Sequence, residues 1–384
     1  MTNTKQKWKN RESGIELLRL ISMFLIVVSH MIMSLCYASG YIPDSSYVLP
    51  IYNVTFNWRI ITLVVLRHSG NLGTTIFFIC SAWFLIGREK LDKKKWLQLF
   101  LDNWVISVLI FLTVLLINGG EIVMDASNSL SPFLYSNNWF ITCYLIFLVV
   151  APLLNMIIRS LSRKSLFRIV LFLSSIMITM GFVLQRDILA SPLIAWFVIY
   201  FVIAYIKLYD QKAVSRTCVG VIAFLIGFAC ILGTVLFSEF QARSAGSSQI
   251  SVLNWNTDCN PFIILMAFGL FILFRRLSCK NMVINYLASL TLFVYLIHEN
   301  IIIRACYRPI IWQKVYENWG YSFIILKLML LSLGVFFVSI LLSIFYDQTI
   351  RRVVIKVGER LYDLGRRIYL KFEDRAVAES RTKK

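Results

Sequence analysis

An all-α fold, a polytopic bundle of about ten transmembrane helices, is what this sequence predicts, and three observations predict it. The chain has 384 residues, of which 58% are hydrophobic and only 15% charged. Its mean hydropathy of +0.72 exceeds what a soluble domain can hide from water. Ten apolar runs approach the roughly 17–25 residues that cross a bilayer, and Lys and Arg gather in alternate connections between them.

In chain order the runs are 16–38, 70–87, 97–118, 139–159, 166–184, 190–209, 216–237, 261–276, 285–304 and 323–346. The segment 58–69 either extends the second helix or lies at the interface. Before the first run stand Lys5, Lys7, Lys9 and Arg11, and after the second stand Arg88, Lys90, Lys93, Lys94 and Lys95. Positive charge returns after the fourth (Arg159, Arg163, Lys164, Arg168), the sixth (Lys207, Lys212, Arg216) and the eighth (Arg275, Arg276, Lys280), and again from Arg351 onward. The connections 39–57, 119–138 and 238–260 hold Arg243 as their only Lys or Arg. Positive charge marks the cytoplasmic side, so both termini are expected there. One membrane domain over 1–384 follows, with a cytoplasmic tail at 1–15 and a basic cytoplasmic tail at 347–384. The connection 305–322 is external on this count although it holds Arg308 and Lys314, which is either noise or a hint of acceptor binding.

The net charge of +19 sits in clusters between apolar runs, a pattern of cytoplasmic loops and not of a nucleic-acid groove. Eight cysteines are scattered with no C-x-x-C pair and no histidine at metal-ligand spacing, so neither a disulfide framework, a metal site nor a bound cofactor is expected. The first run contains Arg19 and His30 and is read as a retained helix and not as a leader. Lipid is the first partner that the composition implies.

Ionisable groups inside a span cost about 2.5–3.5 kcal/mol each and are functional candidates for that reason. Glu16, Arg19 and His30 all lie in the first helix. At about 100° and 1.5 Å per residue, His30 returns to within roughly 20° of the azimuth of Arg19, some 16 Å further along the axis. One reading is a shared polar path, in which Arg19 meets an anionic donor and His30 serves as general base or acyl carrier. The other is that Arg19 snorkels beside Glu16 while His30 caps the outer end of the helix. The residues alone leave both open. The ninth run carries a second constellation, Tyr295, His298, Glu299 and Asn300, in which Tyr295 and Glu299 stack on one helix face. These four are candidates for catalysis or acceptor binding, with a structural helix–helix hydrogen bond as the competing role of His298. His68, beside Arg67, reads as interfacial. No G-x-S-x-G elbow surrounds Ser81, which argues against a serine nucleophile. External Trp58, Trp139, Trp255, Trp312 and Trp319 fit an interfacial belt.

The ordered set of these pieces resembles the acyltransferase 3 family of integral membrane acyltransferases, which O-acetylate surface polysaccharides and peptidoglycan. It comprises Arg19 and His30, Phe77-Phe78-Ile79-Cys80-Ser81, Trp139-Phe140 with Tyr144, Ala151-Pro152-Leu153-Leu154-Asn155, Trp196-Phe197 with Tyr200, and Tyr295-Leu296-Ile297-His298. The resemblance implies a multi-pass protein of the bacterial cytoplasmic membrane and acetyl-CoA or another acyl-CoA as cytoplasmic donor. It also implies His30 as the essential catalytic residue and Arg19 in donor binding. Two departures stand out. Ser81-Ala82 replaces a Ser-Gly common in the family, and Lys93-Lys94-Lys95-Trp96-Leu97-Gln98 stands where many members carry Arg-x-Arg. Lys94 and Lys95, with Arg19 and Glu16, are therefore the donor-binding candidates. Within the family the chain looks most like the single-domain branch linked to capsule and exopolysaccharide assembly. That implies a sugar or polysaccharide acceptor, partners in polysaccharide biosynthesis, and, as the alternative activity, export of polysaccharide or lipid-linked sugar.

Overall fold

The computed structural model describes residues 12–36, 58–121, 126–184, 192–210, 212, 215–244 and 257–382. Trp255 and most of the connections 39–57 and 238–260 lie outside them. The described residues form helices and connections, with no strand among them. In order the helices are α1 (Ser13–Cys36), α2 (Trp58–Arg67), α3 (Ser69–Leu85), α4 (Lys93–Ile117), α5 (Ala126–Leu130), α6 (Tyr135–Ser160) and α7 (Arg163–Ile176), the last extended by a π-helical turn, Met177–Val183. There follow α8 (Pro192–Tyr209), α9 (Thr217–Ser244), α10 (Pro261–Arg275), α11 (Met282–Ser289) and α12 (Thr291–His298). A second π-helical turn, Ile303–Tyr307, leads into α13 (Arg308–Trp319), α14 (Ile324–Gln348) and α15 (Arg351–Thr382).

All ten expected runs fall on helices where they are described, but among the described residues eight helices are long and apolar enough to cross a membrane. Segment 58–69 does extend the second span, since Trp58–Leu85 crosses as one unit of 28 residues. Two runs differ from expectation. Helix α10 has only 15 residues. The ninth run is not a continuous helix over 285–304: Met282–His298 and Ile303–Trp319 form a pair bent by 64°, which counts as a ninth span if taken as one. The reason is local chemistry. Helix α12 stops at His298, the Asn300 side chain accepts from the Ile302 amide at 3.1 Å as in an Asx turn, and Pro309 fits the first turn of a new helix but not the interior of an old one. What read as the external connection 305–322 is therefore largely α13, and its Arg308 is buried.

The opening span is central. Gly70 and Gly73 let α3 approach it so closely that a Cβ on Gly73 would lie 2.5 Å from the Ser22 carbonyl oxygen. The largest buried side chains, Trp196, Tyr200, Tyr295, Phe77, Phe78 and Phe140 among them, fill the space between α3, α6, α8 and α12. Trp58 and Trp319 are exposed as a membrane belt requires, whereas Trp312 is fully buried and donates to the Met31 carbonyl at 2.9 Å. His68, expected at the interface, is buried as well.

Candidate functional site

The bend brings His30 and the ninth-run constellation together. His30 Nδ1 lies 2.9 Å from Glu299 Oε2 and 3.1 Å from His298 Nε2. His298 Nδ1 is 2.7 Å from the Val294 carbonyl, four residues back along α12. A carbonyl can only accept, so that nitrogen carries the proton and His298 Nε2 is left as an acceptor. The proton on His30 Nδ1 then faces Glu299 and His298, and its Nε2 holds the lone pair turned away from both. A carboxylate that orients an imidazole through Nδ1 is the arrangement of a general base. His30 keeps some exposure, 13% of its side chain, while Glu299 and His298 are buried.

Three cationic or donor groups converge on Glu299. Arg308 Nη2 donates to Oε2 at 2.8 Å, Arg304 Nη1 to Oε1 at 3.3 Å, and His30 approaches Oε2. Arg308 also donates to the carbonyls of His298 and, at 3.4 Å, of His30, so it satisfies the open end of α12 and ties it to α1. Sequence reading placed Arg308 in an external connection, as noise or a hint of acceptor binding, and not beside Glu299. Its one signal was a positive charge in a connection expected to carry none. Asn300 donates to Ser107 Oγ at 3.2 Å on α4, which fixes the corner, and Tyr295 packs 6.3 Å from the His30 ring.

His30, His298 and Glu299 offer ligand atoms within 4.8 Å of one another, a grouping that spacing in the sequence could not show. A divalent cation there would compete with the Arg308 guanidinium for Glu299 Oε2 and sit close to two positive charges, so the cluster suits proton handling better than metal binding.

Arg19 belongs to a separate chamber. It pairs with Glu16 at 3.1 Å and lies over the Phe77 ring at 5.0 Å. Two adjoining cavities of about 460 Å³ each share Arg19, Leu85, Arg88 and Tyr144. One also takes in Lys90, Lys95, Asp102 and Arg351, the other Glu16 and Ser81. Lys95 thus reaches the chamber, while Lys94 lies 5.3 Å from the Tyr362 ring on α15. The resemblance to Ala151–Asn155 and Tyr200 also acquires a reason. Asn155 donates to the carbonyls of Leu85 at 2.9 Å and Arg88 at 2.8 Å, and accepts from the Tyr200 hydroxyl at 2.8 Å, so it holds the end of α3 against the chamber.

His30 lines neither cavity. Between Arg19 and His30 stands a layer of buried rings, Phe77 against Phe140 at 5.6 Å, Phe140 against Tyr295 at 4.9 Å, and Tyr295 against His30. The stripe shared by Arg19 and His30 on α1 is therefore divided into two polar stations by an aromatic partition.

No curated protein and no solved structure matches the chain. A family model described as an acyltransferase domain, that of the acyltransferase 3 family, matches residues 12–347, from the start of α1 almost to the end of α14. It covers Arg19, His30, the bent pair and the chambers except for Arg351 and Ile355, and the chain accordingly belongs to this family of membrane acyltransferases.

Proposed function

We propose that this membrane acyltransferase takes an acyl group, most simply acetyl, from acyl-coenzyme A at its basic, cytoplasmic end and delivers it to a hydroxyl of a sugar-containing acceptor on the other side. The observation that carries this reading is the Glu299–His30 contact of 2.9 Å. It gives His30 a fixed tautomer and leaves Nε2 to take a hydroxyl proton. The chamber around Arg19, Arg88, Lys90, Lys95 and Arg351 has the charge and size to hold the phosphates of a coenzyme A thioester. Transfer requires the ring layer to part, so that thioester and hydroxyl meet at His30, and positioning of the two would supply much of the rate. A bacterial cell membrane and a surface polysaccharide acceptor are the setting that the sequence resemblance favours.

Export of a polysaccharide or lipid-linked sugar is the competing reading, and the break between α12 and α13 favours it, since interrupted helices recur at transporter binding sites. A transporter needs no base. Isolated membranes given labelled acetyl-coenzyme A and the cell's own glycan fraction separate the two. Coenzyme A release that depends on acceptor, and that disappears in His30→Ala at unchanged protein abundance, is expected. Full activity in His30→Ala would refute the assignment of the base, and glycan movement without label transfer would favour the exporter.

A further inference from the structure

Helix α15 lies wholly beyond the matched acyltransferase domain, which ends at residue 347, and it is not a solvated tail. It starts three residues after the last span ends at Gln348 and runs for 32 residues. One face is docked on the bundle. Arg351 pairs with Asp102 at 3.4 Å, a Cβ on Gly358 would sit 3.2 Å from Leu101, and Tyr362 receives Lys94. These contacts hold α15 beside the first turns of α4, at the basic end of the membrane spans.

A second face has no partner among the described residues. Val353, Val357, Leu361, Leu364, Ile368 and Phe372 are between 45% and 65% exposed. Their spacing of four, four, three, four and four places all six within about 100° of one another on the helix. Water is a poor solvent for such a stripe. Along its edge, opposite the docked face, run Lys356, Arg360, Arg367 and Lys371, within about 60° of one another. Glu359, Asp363 and Glu373 lie further round. An apolar stripe bordered by a row of long cationic side chains, on a helix attached to a membrane span at headgroup level, matches a surface that is oily below and negative above.

We propose that α15 is an interfacial helix bound to anionic phospholipid, with the Val353–Phe372 stripe in the acyl boundary and Lys356, Arg360, Arg367 and Lys371 on the lipid phosphates. Each basic side chain near an anionic leaflet contributes roughly a fivefold factor to adsorption, so binding depends on lipid charge as well as on the apolar stripe.

The test uses the full-length chain with its two exposed cysteines, Cys218 and Cys279, changed to serine. A fluorophore is attached at Leu364→Cys on the stripe or at Glu359→Cys on the polar face, both exposed positions. Each protein is placed in vesicles of phosphatidylcholine, with or without phosphatidylglycerol. In the anionic vesicles the probe at 364 should be quenched by lipid-borne spin labels and shielded from aqueous iodide, while the probe at 359 stays open to iodide. Replacing Lys356, Arg360, Arg367 and Lys371 together by Gln should remove the dependence on phosphatidylglycerol without lowering protein abundance. Equal iodide access at the two positions in anionic vesicles would overturn the proposal. So would shielding at 364 that vanishes on diluting protein in lipid, because the stripe would then be covering a second copy of this chain. Full shielding in the four-Gln protein would overturn the assignment of the phosphate contacts.

Discussion

Glu299 closes one helix and Arg308 opens another, yet the guanidinium of the second lies 2.8 Å from the carboxylate of the first, so an ion pair braces the corner of the bent pair. Both side chains are buried, and removing Arg308 leaves only the partly exposed Arg304 and the His30 imidazole to balance the buried carboxylate. Arg308→Ala should therefore lower stability by about 3–5 kcal/mol, seen as an earlier thermal transition in detergent and reduced membrane abundance. Arg304 holds the same carboxylate from a position 30% exposed, and Arg304→Ala should cost about 1 kcal/mol or less. Equal losses in the two variants would contradict a distinction based on burial.

Glu299→Gln separates orientation from charge. The amide oxygen can still accept from His30 Nδ1, but it no longer stabilises the proton that the imidazole gains. The expected outcome is a fall of about 100-fold or more in kcat, with donor KM little changed. Transfer assays over donor concentration decide this, and an unaltered kcat would remove Glu299 from the chemistry.

Arg88 lines both inner cavities and is itself exposed, so it can be changed without opening the core. Arg88→Gln should raise donor KM by about tenfold, the worth of one charge-assisted contact, while acceptor KM stays constant. A change in acceptor KM alone would mean that the chamber serves the other substrate.

Close approach of α1 and α3 depends on Gly73. The Cβ of Gly73→Ala would meet the Ser22 carbonyl oxygen at 2.5 Å and the Ile26 Cγ1 at 2.7 Å, both inside contact distance. Separation of the helices should lower stability by about 1–3 kcal/mol and move His30 relative to Glu299. Wild-type thermal stability and activity in this variant would show that the pair packs elsewhere.

Asp258 stands in the connection leading to α10, where burial lifts its carboxyl to about 6 despite the nearby Arg67 guanidinium and a hydrogen bond from Thr74. Folding thus favours the neutral acid. The stability it contributes is complete below the unfolded value near pH 4 and is lost as pH rises through about 6. Asp258→Asn, neutral at every pH, should flatten that decline and unfold later than the parent at pH 8. Parallel thermal-stability profiles for the two proteins would refute it.

His30 and Arg19 were legible because an ionisable side chain in an apolar run has few reasons to be there, and helical periodicity alone gives their common azimuth. The bundle itself followed from composition and loop charge. Arg308 was hidden by its surroundings: Tyr307, Pro309, Gln313 and Lys314 give 305–322 the polarity of a connection. The helix that forms there draws its support from Trp312 buried against Met31 and from the carbonyl of His30, both distant in sequence, and from the carbonyl of His298 across the bend. The Arg19–His30 stripe illustrates the converse. Periodicity placed both on one face, but nothing in the first helix could show that Phe77 from α3, Phe140 from α6 and Tyr295 from α12 would wedge between them.

Those three rings carry an electrical consequence. Across any bilayer a voltage is worth about 2.3 kcal/mol per elementary charge for each 100 mV, and a continuous wet path lined by Arg19 at one end and His30 at the other would conduct protons down it. Phe77, Phe140 and Tyr295, with at most 2% of their surfaces accessible, insulate one half of the protein from the other. The two polar stations are thus kept apart by side chains that offer a proton no hydrogen-bonding group along most of their length.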